Sequence, residues 1–180
     1  EPDQVEVEVL EEPAKGLFGL MSRPAKVRVR MKPDPEGVAF KFLSRLINTM
    51  KVNVNLDIHR KDGDIYIDLQ GPGLGLLIGK RGQTLDALQY LVNLVANKNS
   101  DKFTRVIIDG AGYRKRREKT LEMLAGRLAK KVKATGKSVV LEPMPPHERR
   151  VIHTVLQNDP KIYTHSEGEE PFRKVVISLK

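Results

Sequence analysis

The 180-residue chain contains no cysteine and no tryptophan, and only nine aromatic residues, four Tyr and five Phe. The missing cysteine excludes a disulfide framework, a thiolate metal site and a cysteine nucleophile. It leaves the compartment open but suits a reducing one. No apolar run approaches the roughly 18 residues of a membrane span, and no signal peptide opens the chain. The first residue is Glu1, which points to a trimmed or processed polypeptide. Few aromatics also argue against base stacking on a Phe/Tyr-rich sheet; Tyr66 is the one obvious aromatic on an outward strand face. The apolar share is 39%, low for one large core and suited to small modules.

Charge is plentiful but unevenly placed. The net charge is +9, from 32 Lys and Arg against 23 Asp and Glu. Residues 1–13 hold six acids and no base, so the remaining 167 residues carry +15. Gly112–Lys137 alone holds ten bases and two acids. A field of that sign attracts polyanions; a solvated helix face would read the same way.

Periodicity divides the chain into α+β units. In residues 1–31, Val5–Val9 and Ala25–Met31 alternate with period two, as half-buried strands do. Glu6 and Glu8 on one strand would face Lys26, Arg28 and Arg30 on the other. Lys15-Gly-Leu-Phe-Gly19 is a glycine-bounded apolar loop between them. Two strands alone are marginal, so this is a partial N-terminal β module. Residues 32–37, with two prolines and a glycine, read as a linker.

Residues 38–109 form the second unit. Ala39, Phe42, Leu43, Leu46, Ile47 and Met50 make one helix stripe. Val52–His59 and Ile65–Leu69 read as strands joined through Asp62-Gly63, a strong hairpin signal. A glycine-rich segment, a short helix, a helix bearing Leu85, Leu88, Leu91, Val92 and Val95, and a strand over Phe103–Asp109 complete the order α-β-β-α-α-β. Residues 110–180 form the third unit, α-β-α-β-β. It opens with a helix carrying Leu121, Leu124, Ala125, Leu128, Ala129 and Val132, with Gly136 as its C-cap. A strand over Ser138–Leu141 and a helix opened by Pro143-Met-Pro-Pro146 follow. Strands over Ile162–Ser166 and Phe172–Leu179 close it.

The segment Gly71–Gly82 contains five glycines, yet it is no nucleotide-binding motif of the common kinds. A P-loop needs Gly at 74 and Ser or Thr at 81, where the chain has Leu74 and Arg81. The dinucleotide fingerprint fails at Leu76 and Ile78. What fits is Ile78-Gly79-Lys80-Arg81-Gly82, a G-x-x-G loop with two cations at its variable positions. Glycine lets a sugar–phosphate approach the main chain, and a following helix start favours an anion.

Further on, Pro146–Thr154 lacks the H-E-x-x-H zinc motif, because Val151 stands where the second His would be. No carboxylate–histidine cluster replaces it, so no metal, no cofactor and no catalytic constellation is expected. His59, His147 and His165 read as isolated. The informative spacing is Arg149-x-x-x-His153, which puts both side chains on one helix face at the border of the stripe Val151, Ile152, Val155 and Leu156. An Arg can grip phosphate as a fork and a His can bond or stack.

The G-x-x-G unit resembles a type II KH domain, whose loop clamps about four nucleotides. The third unit resembles the small single-strand-binding module named for its RxxxH pair. With Asp109-Gly-Ala-Gly-Tyr-Arg114 at the junction and Lys15–Gly19 upstream, the chain resembles the bacterial Jag family, its N-terminal module matched only in part. The resemblance implies a cytoplasmic single-stranded RNA-binding protein and no enzyme. RNA would be held by Ile78, Gly79, Lys80, Arg81 and Gly82, and by Arg149, His153, Arg114, Lys115, Arg116 and Arg117. A base groove is implied at Leu76, Leu77, Ile78 and Val106–Ile108, residues that core packing explains equally well. The resemblance also implies post-transcriptional regulation linked to cell envelope or division. A scaffold that pairs KH domains as a homodimer or heterodimer, a binder of single-stranded DNA, and a membrane-protein partner for the N-terminal module stay open beside it.

Overall fold

The structure, a computed structural model, describes residues 5–13, 24–31, 34–100 and 102–180. It divides into two compact units. Unit one comprises Glu1–Lys51, Ile58–Ile67 and Leu88–Ile107; unit two comprises Val52–Asp57, Asp68–Ala87 and Ile108–Lys180. The mixture of helix and strand is that of an α+β protein.

Unit one opens with strands β1 (Val5–Glu11) and β2 (Lys26–Met31), paired antiparallel with Val7 opposite Val29 and Glu8 opposite Arg28. Arg28 and Glu8 bond at 3.1 Å, and Lys26 reaches Glu11 at 2.6 Å. These pairs are exposed and individually worth little. The loop Lys15–Gly19 lies outside the described residues. Helix α1 (Pro35–Thr49) buries Ala39, Leu43 and Ile47. It begins inside the segment that composition marks as a linker. Asp34 caps it by accepting a hydrogen bond from the Gly37 amide at 2.9 Å, and Pro35 occupies the first turn. Cap and proline together start a helix that the proline count alone reads as a break.

Strands β3 (Asn55–Lys61) and β4 (Asp64–Gln70) meet at Asp62 and Gly63, whose φ of 53° and 87° are what a tight hairpin turn demands. Helix α2 (Leu74–Ile78) and helix α3 (Gln83–Asn97) follow, then strand β5 (Val106–Gly110), which completes a sheet of order β3-β4-β5. The strand starts three residues later than its apolar run. Asn93 and Asn97, one turn apart on α3, take up the intervening main chain. Each side chain accepts from one backbone amide and donates to two carbonyls, one of them within α3: Asn93 with Val106 at 2.8 and 2.7 Å and with Gln89 at 2.8 Å, Asn97 with Thr104 at 2.6 and 2.8 Å and with Asn93 at 2.9 Å.

In unit two, Asp109 sets the start of helix α4 (Tyr113–Thr135). Its carboxylate accepts from the amides of Gly110 at 2.8 Å and Arg114 at 3.2 Å, the capping role that Gly112 has no side chain to fill. Gly136, with φ 69°, ends the helix as its sequence position indicates. Strand β6 (Val139–Val140), helix α5 (Pro146–Leu156), strand β7 (Ile162–Glu167) and strand β8 (Lys174–Leu179) complete the unit, with sheet order β6-β8-β7. Leu121, Ala125, Ala129 and Val132 of α4 pack with Ile152 and Leu156 of α5 and with Ile162, Val175 and Ile177 of the sheet. That shared core fixes α5 against β7. Among the described residues no helix is long and apolar enough to cross a membrane.

Candidate nucleic-acid interface

The loop from Gly79 to Gly82 is held in a conformation ordinary residues avoid. Gly79 sits at φ 70°, ψ −167°, Arg81 at φ 56° and Gly82 at φ 83°. The glycines are required on the protein side as well. A Cβ on Gly79 would lie 2.0 Å from Thr84 Oγ1, and one on Gly82 would lie 2.8 Å from the Tyr113 ring. The sequence assigns both glycines to close approach by a sugar–phosphate chain; the structure adds that Thr84 and Tyr113 already occupy the space. Lys80 is exposed, Gly82 is buried, and Arg81 donates to Glu142.

The implied base groove divides in two. Leu77, Val106 and Ile108 are buried and serve the core, whereas Leu76 is 66% exposed and Ile78 and Ile107 are half-buried.

On α5, Arg149 and His153 stand together at the edge of the apolar stripe, both half-buried. The Arg149 side chain is only 11% exposed; its Nε donates to the Met144 carbonyl at 3.2 Å and its guanidinium pairs with Glu170. His153 lies over β7, with Nδ1 2.8 Å from Thr164 Oγ1 and Nε2 2.9 Å from Ser166 Oγ. Burial, then the positive charge of Arg149 and then His165, push its pKa below the ordinary 6.5. The imidazole is therefore neutral at pH 7. One nitrogen donates to a hydroxyl and the other accepts from one, so the hydroxyl that accepts keeps its own proton to offer outward.

Neighbours that sequence reasoning does not bring here complete the face. His165, which reads as isolated along the chain, stacks on Tyr163 at 5.5 Å and is close enough to His153 to bias its charge. Tyr163 is 52% exposed on β7, an outward strand aromatic that adds to Tyr66. Tyr66 itself stacks on His59 at 5.4 Å in unit one. The alternation of β7 is the one sequence signal that puts Thr164 and Ser166 on the same side.

The basic run at the start of α4 proves to be two kinds of residue. Arg117 forks onto Glu148 at 2.7 and 2.9 Å, and Glu148 is 2% exposed. That hydrogen bonding raises the Arg117 pKa further. Arg114 donates to Asp86 at 2.7 Å and to the Ile108 carbonyl at 3.2 Å, and Arg116 donates to the Ala111 carbonyl. Lys115 is exposed and has no ion pair among the described residues. Arg114, Arg116 and Arg117 thus all have partners within the protein, and Arg117 meets α5 at Glu148 while Arg149 and His153 face Glu170 and β7.

A G-x-x-G loop set in a KH-type arrangement of elements, and an Arg/His pair on a helix laid over a three-stranded sheet, define a two-module nucleic-acid-binding class. Family models match the Jag N-terminus over residues 1–31, the KhpA/KhpB KH domain over 36–108 and the RxxxH domain over 119–179. The chain is 47% identical to an RNA-binding protein KhpB of Clostridium symbiosum, over 99% of this chain and 81% of that one. It is 38% identical to an RNA-binding protein KhpB of Bacillus subtilis strain 168, over 99% of this chain and 87% of the relative. A third relative of that name, from Lactiplantibacillus plantarum, is 35% identical over 87% of this chain and 49% of its own length. The chain belongs to this KhpB, or Jag, family.

Proposed function

We propose that the protein binds single-stranded RNA through two surfaces, the Gly79–Gly82 clamp of a KH domain over 38–109 and the Arg149/His153 face of an RxxxH domain over 110–180. The observation that carries the reading is the clamp: a loop in left-handed backbone geometry, closed at both ends by glycines that nothing larger can replace, bearing Lys80 in solvent and Arg81 beside it. A tight loop of that kind with two cations at its variable positions suits a sugar–phosphate chain, whose charge the cations neutralise. The names of the relatives support RNA as the ligand. At the second surface Arg149 supplies charge, while the neutral His153 orients the hydroxyls of Thr164 and Ser166 toward sugar or phosphate oxygens. Lys115, exposed near the start of α4, adds a further cation for the strand.

The physiological reading is a cytoplasmic post-transcriptional regulator linked to cell envelope or division. KH–KH pairing as homodimer or heterodimer, and a membrane-protein partner for residues 1–31, belong to the same proposal. Fluorescence anisotropy with matched RNA and DNA dodecamers tests it. Tighter RNA binding, lost when Lys80 and Arg81 are both made Asp, is expected. Equal or tighter binding of DNA would replace RNA with single-stranded DNA, and no binding of either would leave a scaffold.

A further inference from the structure

Unit two contains a cleft of about 760 Å³ that is separate from the Arg149/His153 face. Arg81 and Gly82 of the clamp form one end of it, and helices α4 and α5 form its sides. Arg149 and His153 do not line it, because they lie on the other side of α5. We infer that this cleft is a nucleotide site that takes a base from the strand leaving the clamp. The inference rests on the reading of the protein as a binder of single-stranded RNA.

Four features carry it. The volume falls in the range of sites that enclose small organic ligands, about 300–1,000 Å³. The clamp itself supplies part of the wall, and Gly82 abuts Tyr113, so a chain held at Lys80 and Arg81 is delivered to the opening without a tether. Tyr113, Leu121, Val151 and Val155 give the lining an apolar stretch against which a base can pack. The charges are sorted by depth of commitment. Two arginines of the lining are already neutralised, Arg117 by Glu148 and Arg114 by Asp86. Exposed Lys115 and Arg150 have no ion pair among the described residues and are available to a phosphate at the rim. Glu118 and Glu122, also in the lining, repel phosphate and can accept from base N–H groups. A neutral base inside with its phosphate outside satisfies all of these; a bare polyanion does not.

The test uses the whole chain and two RNA lengths. A tetramer fills a KH clamp; a dodecamer continues beyond it. Val155 is 40% exposed, so Val155→Asp places a carboxylate on the cleft wall without entering the core. It should weaken the dodecamer about 10-fold, the order of one lost base contact, and leave the tetramer within about 2-fold. Arg150→Ala should weaken the dodecamer more than Lys130→Ala, which removes the same charge from an exposed position of α4 outside the cleft. A dodecamer carrying 4-thiouridine should crosslink to residues 113–122 and 150–155, and Val155→Asp should remove those adducts while adducts at 79–82 remain. Wild-type protein that binds the dodecamer with no adduct at 113–122 or 150–155, or a Val155→Asp protein with unchanged dodecamer affinity, overturns the cleft assignment alone. Wild-type protein that binds neither RNA overturns the single-strand reading and the cleft with it.

Discussion

Glu148 is a carboxylate almost fully withdrawn from water, and Arg117 is the group that makes this tolerable. Removing the arginine leaves an uncompensated buried charge, so Arg117→Met should cost about 3 kcal/mol in urea unfolding. Pairing it with Glu148→Leu should restore most of that loss, because two apolar side chains of similar volume often replace a buried ion pair without penalty. A double variant as unstable as the single would remove Arg117 from this structural role. His153 makes a different prediction. Its folded pKa lies below the unfolded value of 6.5, so the unfolded chain binds the proton more readily. Its contribution to stability is complete above pH 6.5 and is lost as pH falls through the depressed folded value. Melting temperatures from pH 7 to pH 5 should therefore decline in the wild type and decline less in His153→Asn. The i, i+4 spacing of Arg149 and His153 is legible in the sequence. Their partners are not: Thr164 and Ser166 sit 11 and 13 residues from His153, and Glu170 sits 21 from Arg149, beyond the reach of any helical period.

Elements follow periodicity where packing agrees with it and depart where side chains replace backbone partners. The stripe Leu121, Ala125, Ala129 and Val132 predicts α4 and is its buried face. The Asp62-Gly63 signal predicts the hairpin, and both residues adopt positive φ. The beginning of β5 cannot be read, because Asn93 and Asn97 substitute for a neighbouring strand at Val106 and Thr104. Nor can the fate of Arg114–Arg117, since charge density along a helix does not say which cations are already paired. The clamp is where local sequence and conformation are most tightly bound. Gly79→Ala needs φ near 70° and meets Thr84 at once. It should cost about 1–3 kcal/mol of stability and remove RNA binding; a Gly79→Ala protein with wild-type affinity would show that the loop geometry is not used. Gly75→Ala, four residues earlier on the open face of α2, adds a Cβ with nothing within 4 Å and should leave affinity intact.

Across the whole molecule the net charge of +9 combines an acidic start with +15 elsewhere. Part of that excess is spent inside the protein, on Glu148, Asp86 and Asp159. The cations left for a ligand are fewer than composition suggests; Lys80 is exposed without an ion pair among the described residues, and Arg81 would have to exchange Glu142 for phosphate. Single-strand affinity should fall with salt, and Lys80→Ala with Arg81→Ala should reduce the log–log slope by about 1.4, two phosphate contacts. Clamp, cleft and Arg149/His153 face all belong to unit two, so contacts of one strand with more than one of them would reinforce each other.

One titration tests the role of the clamp in RNA binding. Single-stranded RNA binding by the Lys80→Asp, Arg81→Asp double variant should be abolished while its circular dichroism spectrum matches the wild type. A folded double variant that keeps wild-type affinity would contradict the assignment of RNA to the Gly79–Gly82 loop.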